Sequence, residues 1–376
     1  MNIQAEIKDK VSERYAAGAK ERQEALCCPV DYDAALLKLL PQEIIDRDYG
    51  CGDPSRYVQA GDTVLDLGSG GGKICYMAAQ LVGDTGRVIG VDMTDEMLEL
   101  ARRHQAAMAE KLGGDRVSFR KGYIQDLALD MDAVEAYLAA NPVTTVESLQ
   151  AFEAWKSRQR IERPMIADNS VDLVVSNCVL NLVAEADRKH MLDEIFRVLK
   201  AGGRVAISDI VSDEAVPEHL RANEELWTGC ISGAFQEQQF GQAFLDAGFI
   251  LVKYDKWDDQ PWQVVEGIEF RSVTLMAVKP SPQVCLDIGQ AVIYTGPFSE
   301  VRDDEDHVYP RGERIAVCER TFQFLTEGPL REHFIGINPS TPKAAVNFCA
   351  APGTVRPASE SKGASHASTR SGGACC

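Results

Sequence analysis

The chain has 376 residues, 45% hydrophobic and 26% charged, with a formal net charge of −18. Such a composition describes a globular protein with room for two domains. It shows neither the basic stripe of a nucleic-acid binder nor a run near the ~18 apolar residues of a membrane span, so neither partner is expected.

The N-terminus, "MNIQAEIKDKVSERYAAG", is charged throughout and has no apolar core of a secretory signal. A soluble, cytoplasmic, monomeric protein is the expectation. Residues 1–50 read as a helical cap broken at Pro29 and Pro41. Strand-like runs then alternate with helical ones: 63–68, 87–93, 116–122, 171–177, 203–210, 249–257 and 272–279. Alternating βα units predict an α/β fold, a mostly parallel seven-stranded sheet with helices on both faces. Residues 125–168 interrupt the alternation with two polar helical patterns, "MDAVEAYLAA" and "TVESLQAFEAWKSRQRIE", which predict a helical insertion. From 281 to 350 the pattern turns short and β-like, predicting a small α+β or β-rich C-terminal domain. Residues 351–376 are rich in Ser, Gly and Ala, predict disorder, and end in Cys375–Cys376.

The run "VLDLGSGGGKI" follows a strand and opens a helix. A P-loop fails because Leu67 and Ile74 stand at its first and last required positions. A dinucleotide GxGxxG starting at Gly68 fails at Lys73. What remains is Asp66 followed by GxGxG at Gly68, Gly70 and Gly72. That pattern resembles S-adenosylmethionine-dependent methyltransferases. The resemblance implies a Rossmann-like class I methyltransferase fold spanning 51–280, with cofactor contacts from Asp66, Gly68, Ser69, Gly70 and Gly72. Asp92, about 20 residues past the loop, stands where nucleotide-binding α/β folds hold ribose hydroxyls. Met93 follows it. Ile124 and Gln125 would lie near the adenine, and Asn177 ends the fourth strand at the site.

Eleven cysteines are an odd number in a chain read as cytoplasmic, so a full disulfide framework is not expected. No zinc spacing appears. Cys178 follows the fourth strand, where open parallel sheets bind ligands; buried core residue and site residue are equally good readings of it. Cys75, on an apolar helix face, reads as buried. Cys51 in "DYGCGD" and Cys230 in "LWTGCISGA" are glycine-flanked, which predicts exposed, adaptable loops.

Taken together, "YGCGD", "LDLGSGGGKICYMAAQLVGDTGRVIGVDM", "GYIQDL", "VVSNCVLNLV", "FRVLKAGGRVAISDI" and "LWTGCISGA" resemble the arsenite methyltransferases over roughly 45–250, with all four cysteines of that family's pattern. The region from "VEGIEFRSVTLMAVK" to "RGERIAVCERTF" is similar to the microbial branch associated with arsenosugar biosynthesis. The loop departs from the family's usual GSGSGRD, placing Lys73 and Ile74 where Arg and Asp are common.

The resemblance implies that Cys51, Cys178 and Cys230 hold As(III) as a trithiolate, thiolates being natural ligands of a soft ion. It implies methyl transfer from S-adenosylmethionine, a Cys51–Cys75 disulfide formed during turnover, and reduction by thioredoxin or a small thiol such as glutathione. The tail pair Cys375–Cys376 reads equally as an arsenic carrier or an idle end, and Cys27–Cys28 is as open. His190 and His219 fall in helical patterns and are expected to be solvated.

Overall fold

A computed structural model describes residues 3–23, 30–47, 49–281, 285–327, 330–339, 341–348 and 350–361. Cys27, Cys28, Cys375 and Cys376 lie outside the described residues. Contacts divide the chain into two compact units, Met1–Pro280 and Ser281–Cys376.

In the first unit seven strands form the main sheet: β1 (Thr63–Leu67), β2 (Arg87–Asp92), β3 (Val117–Lys121), β4 (Val171–Asn177), β5 (Leu199–Ser212), β6 (Ile250–Trp257) and β7 (Ile268–Val278). Their order is β3-β2-β1-β4-β5-β7-β6, and two short strands, Phe235–Gln236 and Gln263–Val265, pair at its margins. The first five are parallel, while β7 runs antiparallel to both β5 and β6. Side chains alternate across the pleat. Leu65, Val91, Val174, Ile207 and Leu275 pack on one face; Val64, Val88, Leu173, Val175 and Ala206 pack on the other. A sheet buried on both faces needs apolar residues at nearly every position, which the sequence runs supply.

The chain passes out of β1, β2 and β4 at the same edge of the sheet, and the strand order reverses beside β1. That is the crevice where open α/β sheets bind ligands. Helix α1 (Ile3–Lys20) contributes to this end, and α2 (Lys73–Leu81) leaves from it. Gly72 caps α2 with φ of 88°. The departures at Lys73 and Ile74 are absorbed by the core. Ile74 is 4% exposed, and the Lys73 ammonium sits 4.3 Å from the centre of the Tyr32 ring.

The insertion forms α3 (Met131–Ala140), capped by Asp130, and α4 (Val146–Glu162), opened by a capping box between Thr145 and Ser148. No described residue of α4 is buried. Arg160 anchors it with a two-pronged ion pair to Asp126, one residue past Gln125.

One expectation fails at the fifth strand. The strand was expected at 203–210, yet β5 begins at Leu199 and runs through Gly202 and Gly203. Leu199 pairs with Val171 and Arg204 with Leu173, so the four intervening residues bulge out of register. The bulge is held by Gly202 N–H donating to Lys279 O and Lys279 N–H donating to Gly203 O.

In the second unit a three-stranded antiparallel sheet sets β8 (Ala291–Tyr294) between β9 (Arg314–Ala316) and β10 (Phe334–Ile337). Helix α5 (Glu319–Glu327) packs Phe322 and Leu325 into a core with Val292, Tyr294, Tyr309, Ile315 and Phe334. The stretch "CERTFQFL" was read as β-like and is mostly helix, because Thr321, Phe322 and Leu325 recur at helical spacing. The expected disorder from 351 is also corrected as far as residue 361. Arg356 pairs with Asp287 at 2.8 Å, Ala316 N–H donates to Thr354 O, and Ser361 is fully buried.

Candidate active site

The crevice holds an open cleft, with about 800 Å³ of empty space that includes solvent at its mouth. Of the residues expected at the cofactor, Gly68, Gly70, Asp92, Met93, Ile124, Gln125 and Asn177 line it, and so does Cys178. Gly68 has φ of 67°, and a methyl group there would meet Val179 at 2.5 Å. Only glycine fits that backbone and that approach. The Asp92 carboxylate is fixed by two backbone N–H groups, Gly70 at 2.9 Å and Thr94 at 2.8 Å. Burial nevertheless pushes its pKa above the usual carboxylate range. The residues present therefore fit a nucleoside ligand: a glycine cradle that a side chain would fill, and an oriented acid for its hydroxyls.

Three expected cofactor residues are not among those lining the cleft. The buried Asp66 carboxylate accepts from the Cys75 thiol at 3.2 Å. Ser69 packs under Gly90, and Gly72 is spent on the cap of α2. Sequence reading also missed α1 as a wall. Lys8, Val11 and Tyr15 line the cleft, and Lys8 lies 5.0 Å from the centre of the Tyr123 ring. The signal was available as an N-terminal helical pattern, but not its position.

Behind Cys178 three cysteines share one buried cluster: Cys51, Cys178 and Cys230. The expectation of exposed loops at Cys51 and Cys230 is overturned, since Cys51 is fully buried and Cys230 is 5% exposed. Glycine serves close packing here, not mobility; a methyl at Gly52 would collide with Ser208 Oγ. Asn177 clasps this loop. Its Oδ1 accepts from the N–H groups of Cys51 and Gly52 at 2.9 and 3.0 Å, and its Nδ2 donates to Gly52 O at 2.8 Å. Ser272 Oγ donates to Cys51 O at 2.6 Å.

Cys178 and Cys230 both adopt left-handed backbone, φ of 60° and 62°. Non-glycine residues pay for that conformation, and it clusters at working sites. The Cys230 thiol donates to Cys178 O at 3.1 Å, tying the two segments together. Tyr15 Oη lies 3.9 Å from Cys230 Sγ.

Cys51 and Cys178 are joined in a disulfide, with Cα atoms 5.9 Å apart. The implied Cys51–Cys75 disulfide is not the one present. Cys75 belongs to a separate core cluster, on α2, with its sulfur on Asp66. Asp209, absent from the sequence reading, places a carboxylate oxygen within 4.8 Å of the Cys51 and Cys178 sulfurs. It is fully buried and accepts from Leu180 N–H, Ile210 N–H and the Asn181 side chain at 2.8–2.9 Å. Burial pushes its pKa up to about 7. His190 and His219 are both exposed, as expected.

A mostly parallel α/β sheet with a glycine-lined cleft and a buried acid after its second strand is the architecture of class I methyltransferases. A methyltransferase-domain family model matches residues 59–248, and a domain of unknown function matches 281–366. The chain is 35% identical to an arsenite methyltransferase of Aquipseudomonas alcaligenes, covering 82% of this chain and 83% of that one. It is 31% identical to the human arsenite methyltransferase, covering 80% and 73%. The crystal structure of CrArsM, an arsenic(III) S-adenosylmethionine methyltransferase from Chlamydomonas reinhardtii, is similar at a TM-score of 0.56 and 28% identity, over 86% of this chain and all of that one. The chain belongs to the arsenite methyltransferase family.

Proposed function

We infer that the protein moves methyl groups from S-adenosylmethionine to thiol-bound As(III), giving methylated arsenicals. One observation carries the site assignment: Cys178 belongs both to the buried three-cysteine cluster and to the wall of the cofactor cleft. An acceptor held by these sulfurs would adjoin the cleft that receives the donor.

Bound S-adenosylmethionine supplies an electrophilic methyl carbon and a sulfonium leaving group. Asp92 would receive the ribose hydroxyls, and the Gly68–Gly70 backbone would let the ligand lie close. Cys51, Cys178 and Cys230 ligate arsenic, their protons leaving with its hydroxyls as water. Arsenic keeps its lone pair and carries no proton, so no general base is required. Alignment supplies the catalysis, and Asn177 maintains it by fixing the Cys51 backbone.

The Cys51–Cys178 disulfide occupies two of the three ligands. Two electrons and two protons from a dithiol or two monothiols must open it before arsenite enters. Thioredoxin or glutathione is the reductant in this reading, and the enzyme is a cytoplasmic monomer. Spending its lone pair on the methyl carbon raises arsenic formally to As(V), and two electrons from the same thiol reductant, which becomes a disulfide, return it to As(III); with one position then held by carbon, arsenic needs one thiolate fewer, and Cys178 with Cys230 suffices.

Incubation with arsenite, S-adenosylmethionine and thiol, followed by arsenic speciation, tests this. Methylated arsenicals are expected, none in the absence of thiol. Cys178→Ser and Cys230→Ser should abolish turnover on arsenite and methylarsenite, while Cys51→Ser should spare methylarsenite. Full activity in either of the first two variants would refute their role as ligands.

A further inference from the structure

Cys178 and Cys230 hold left-handed backbone, a conformation that persists only where the surroundings over-determine it. Asn181, three residues past Cys178, is fully buried and supplies such a constraint. Its Nδ2 donates to Asp209 Oδ1 at 2.8 Å and to Ile210 O at 2.7 Å, and its Oδ1 accepts from Phe235 N–H at 3.3 Å. One amide thus joins three pieces of chain: the turn that carries Cys178, the end of β5, and the segment from Cys230 to Phe235.

Ile210 O only accepts and Phe235 N–H only donates, so the amide has one orientation. Aspartate at 181 would set a second carboxylate against Asp209, and alanine would pair with none of the three. The backbone is held as closely. Asp209 Oδ2 accepts from Leu180 N–H at 2.9 Å and from Asn181 N–H at 3.4 Å. A methyl on Gly233, inside the Cys230 segment, would meet Asn181 O at 2.2 Å.

Arsenic binding would leave more to this clasp. The direct tie between the two cysteines is the Cys230 thiol donating to Cys178 O. That bond is lost when Cys230 gives up its proton to ligate arsenic. The Asn181 bonds involve no sulfur and persist. Cys51 depends on a different amide, Asn177, the residue before Cys178. The three sulfurs therefore fall under two clasps, one on Cys51 and one on the pair Cys178 and Cys230.

We propose that Asn181 is the positioning residue for the Cys178–Cys230 pair. It fixes the spacing of the two sulfurs that hold arsenic through both methylations, and it is in place before arsenic arrives. The role rests on the reading of these cysteines as arsenic ligands; the clasp itself does not.

The test compares the unmodified chain with Asn181→Ala, both kept reduced with excess thiol. KM for arsenite and KM for methylarsenite should rise in the same proportion, by about tenfold, the loss of one buried hydrogen bond. The dissociation constant of S-adenosylmethionine, read by calorimetry, should stay where it is. Unchanged KM values overturn the proposal, and so does a parallel loss of donor affinity, which would mark a general loosening of the cleft. A loss confined to arsenite overturns it too, since that pattern belongs to Cys51. Circular dichroism checks that the variant folds. A second measurement needs no variant: hydrogen exchange on the reduced, unmodified chain, resolved to single residues by electron-transfer fragmentation. The Leu180, Asn181 and Phe235 N–H groups should be protected before arsenite is added. Rapid exchange there in the arsenite-free chain overturns a preformed clasp. Arsenic speciation separates the two ideas. Absence of methylated product from the unmodified chain counts against methyl transfer, whereas a methylating enzyme whose Asn181→Ala variant keeps its KM values counts against this role alone.

Discussion

Asn177 does two jobs with one amide. It lines the cofactor cleft, and it satisfies three backbone groups of the Cys51 loop. Truncating it leaves buried N–H and C=O groups unpaired, at about 1–3 kcal/mol each when water cannot replace the partner. Asn177→Ala should therefore lower stability by on the order of 3 kcal/mol, read from denaturant midpoints. It should also reproduce the selectivity of Cys51→Ser, losing arsenite turnover more than methylarsenite turnover. An equal loss on both substrates, with the Michaelis constant for S-adenosylmethionine raised to match, would show that the cleft contact dominates. The position of Cys178 was legible from the strand that precedes it. Its left-handed backbone was not, nor was that of Cys230, because it goes with tertiary contacts that no local pattern carries: Cys178 N–H to Ser208 O, and the Cys230 thiol to Cys178 O. Asp209 hid for a related reason: an acid inside the run "VAISDI" reads as a strand residue until its neighbours are known.

Elements position these residues, and α1 is the one whose role sequence left open. Arg14 donates from α1 to Glu225 O at 2.8 Å and to Thr228 Oγ1 at 2.5 Å, just before Cys230. The same helix walls the cleft through Val11 and Tyr15. Arg14→Ala removes that tie, at about 1–2 kcal/mol. The expected outcome is a Michaelis constant for S-adenosylmethionine raised roughly tenfold, with little change in melting temperature and faster proteolysis within α1. An unchanged constant would mean that packing alone seats the helix. Most of the main sheet could be read in advance because strand and helix periods alternate cleanly there. The errors fell where tertiary contacts overrode the local pattern. At β5 a bulge carried the strand through two glycines, at α5 an apolar run fitted either period, and at 351–361 tertiary pairing ordered a segment poor in apolar residues.

For the first unit as a whole, Asp209 ties stability to pH. Its folded pKa, about 7, lies above the ordinary 3.8. The native state thus holds the proton more tightly than the unfolded chain. The resulting stabilisation is complete below the ordinary value and is lost as pH rises toward about 7. Denaturant midpoints should fall between about pH 5 and pH 7 by an amount on the order of 2 kcal/mol. Asp209→Asn, neutral throughout but facing four donors, should start lower and lose the slope. A slope that persists in the variant would assign the effect to another group.

The two left-handed cysteines set selection for chemistry against selection for folding. Glycine would occupy either backbone position at lower conformational cost, but it would remove a sulfur. In a lineage that ceases to meet arsenic, substitution to glycine or asparagine at 178 and 230 would go unopposed by catalysis and be favoured by the backbone. Loss of the acceptor site should then begin at these two codons while the cofactor cradle persists, leaving descendants that still bind the methyl donor with nothing to give it to.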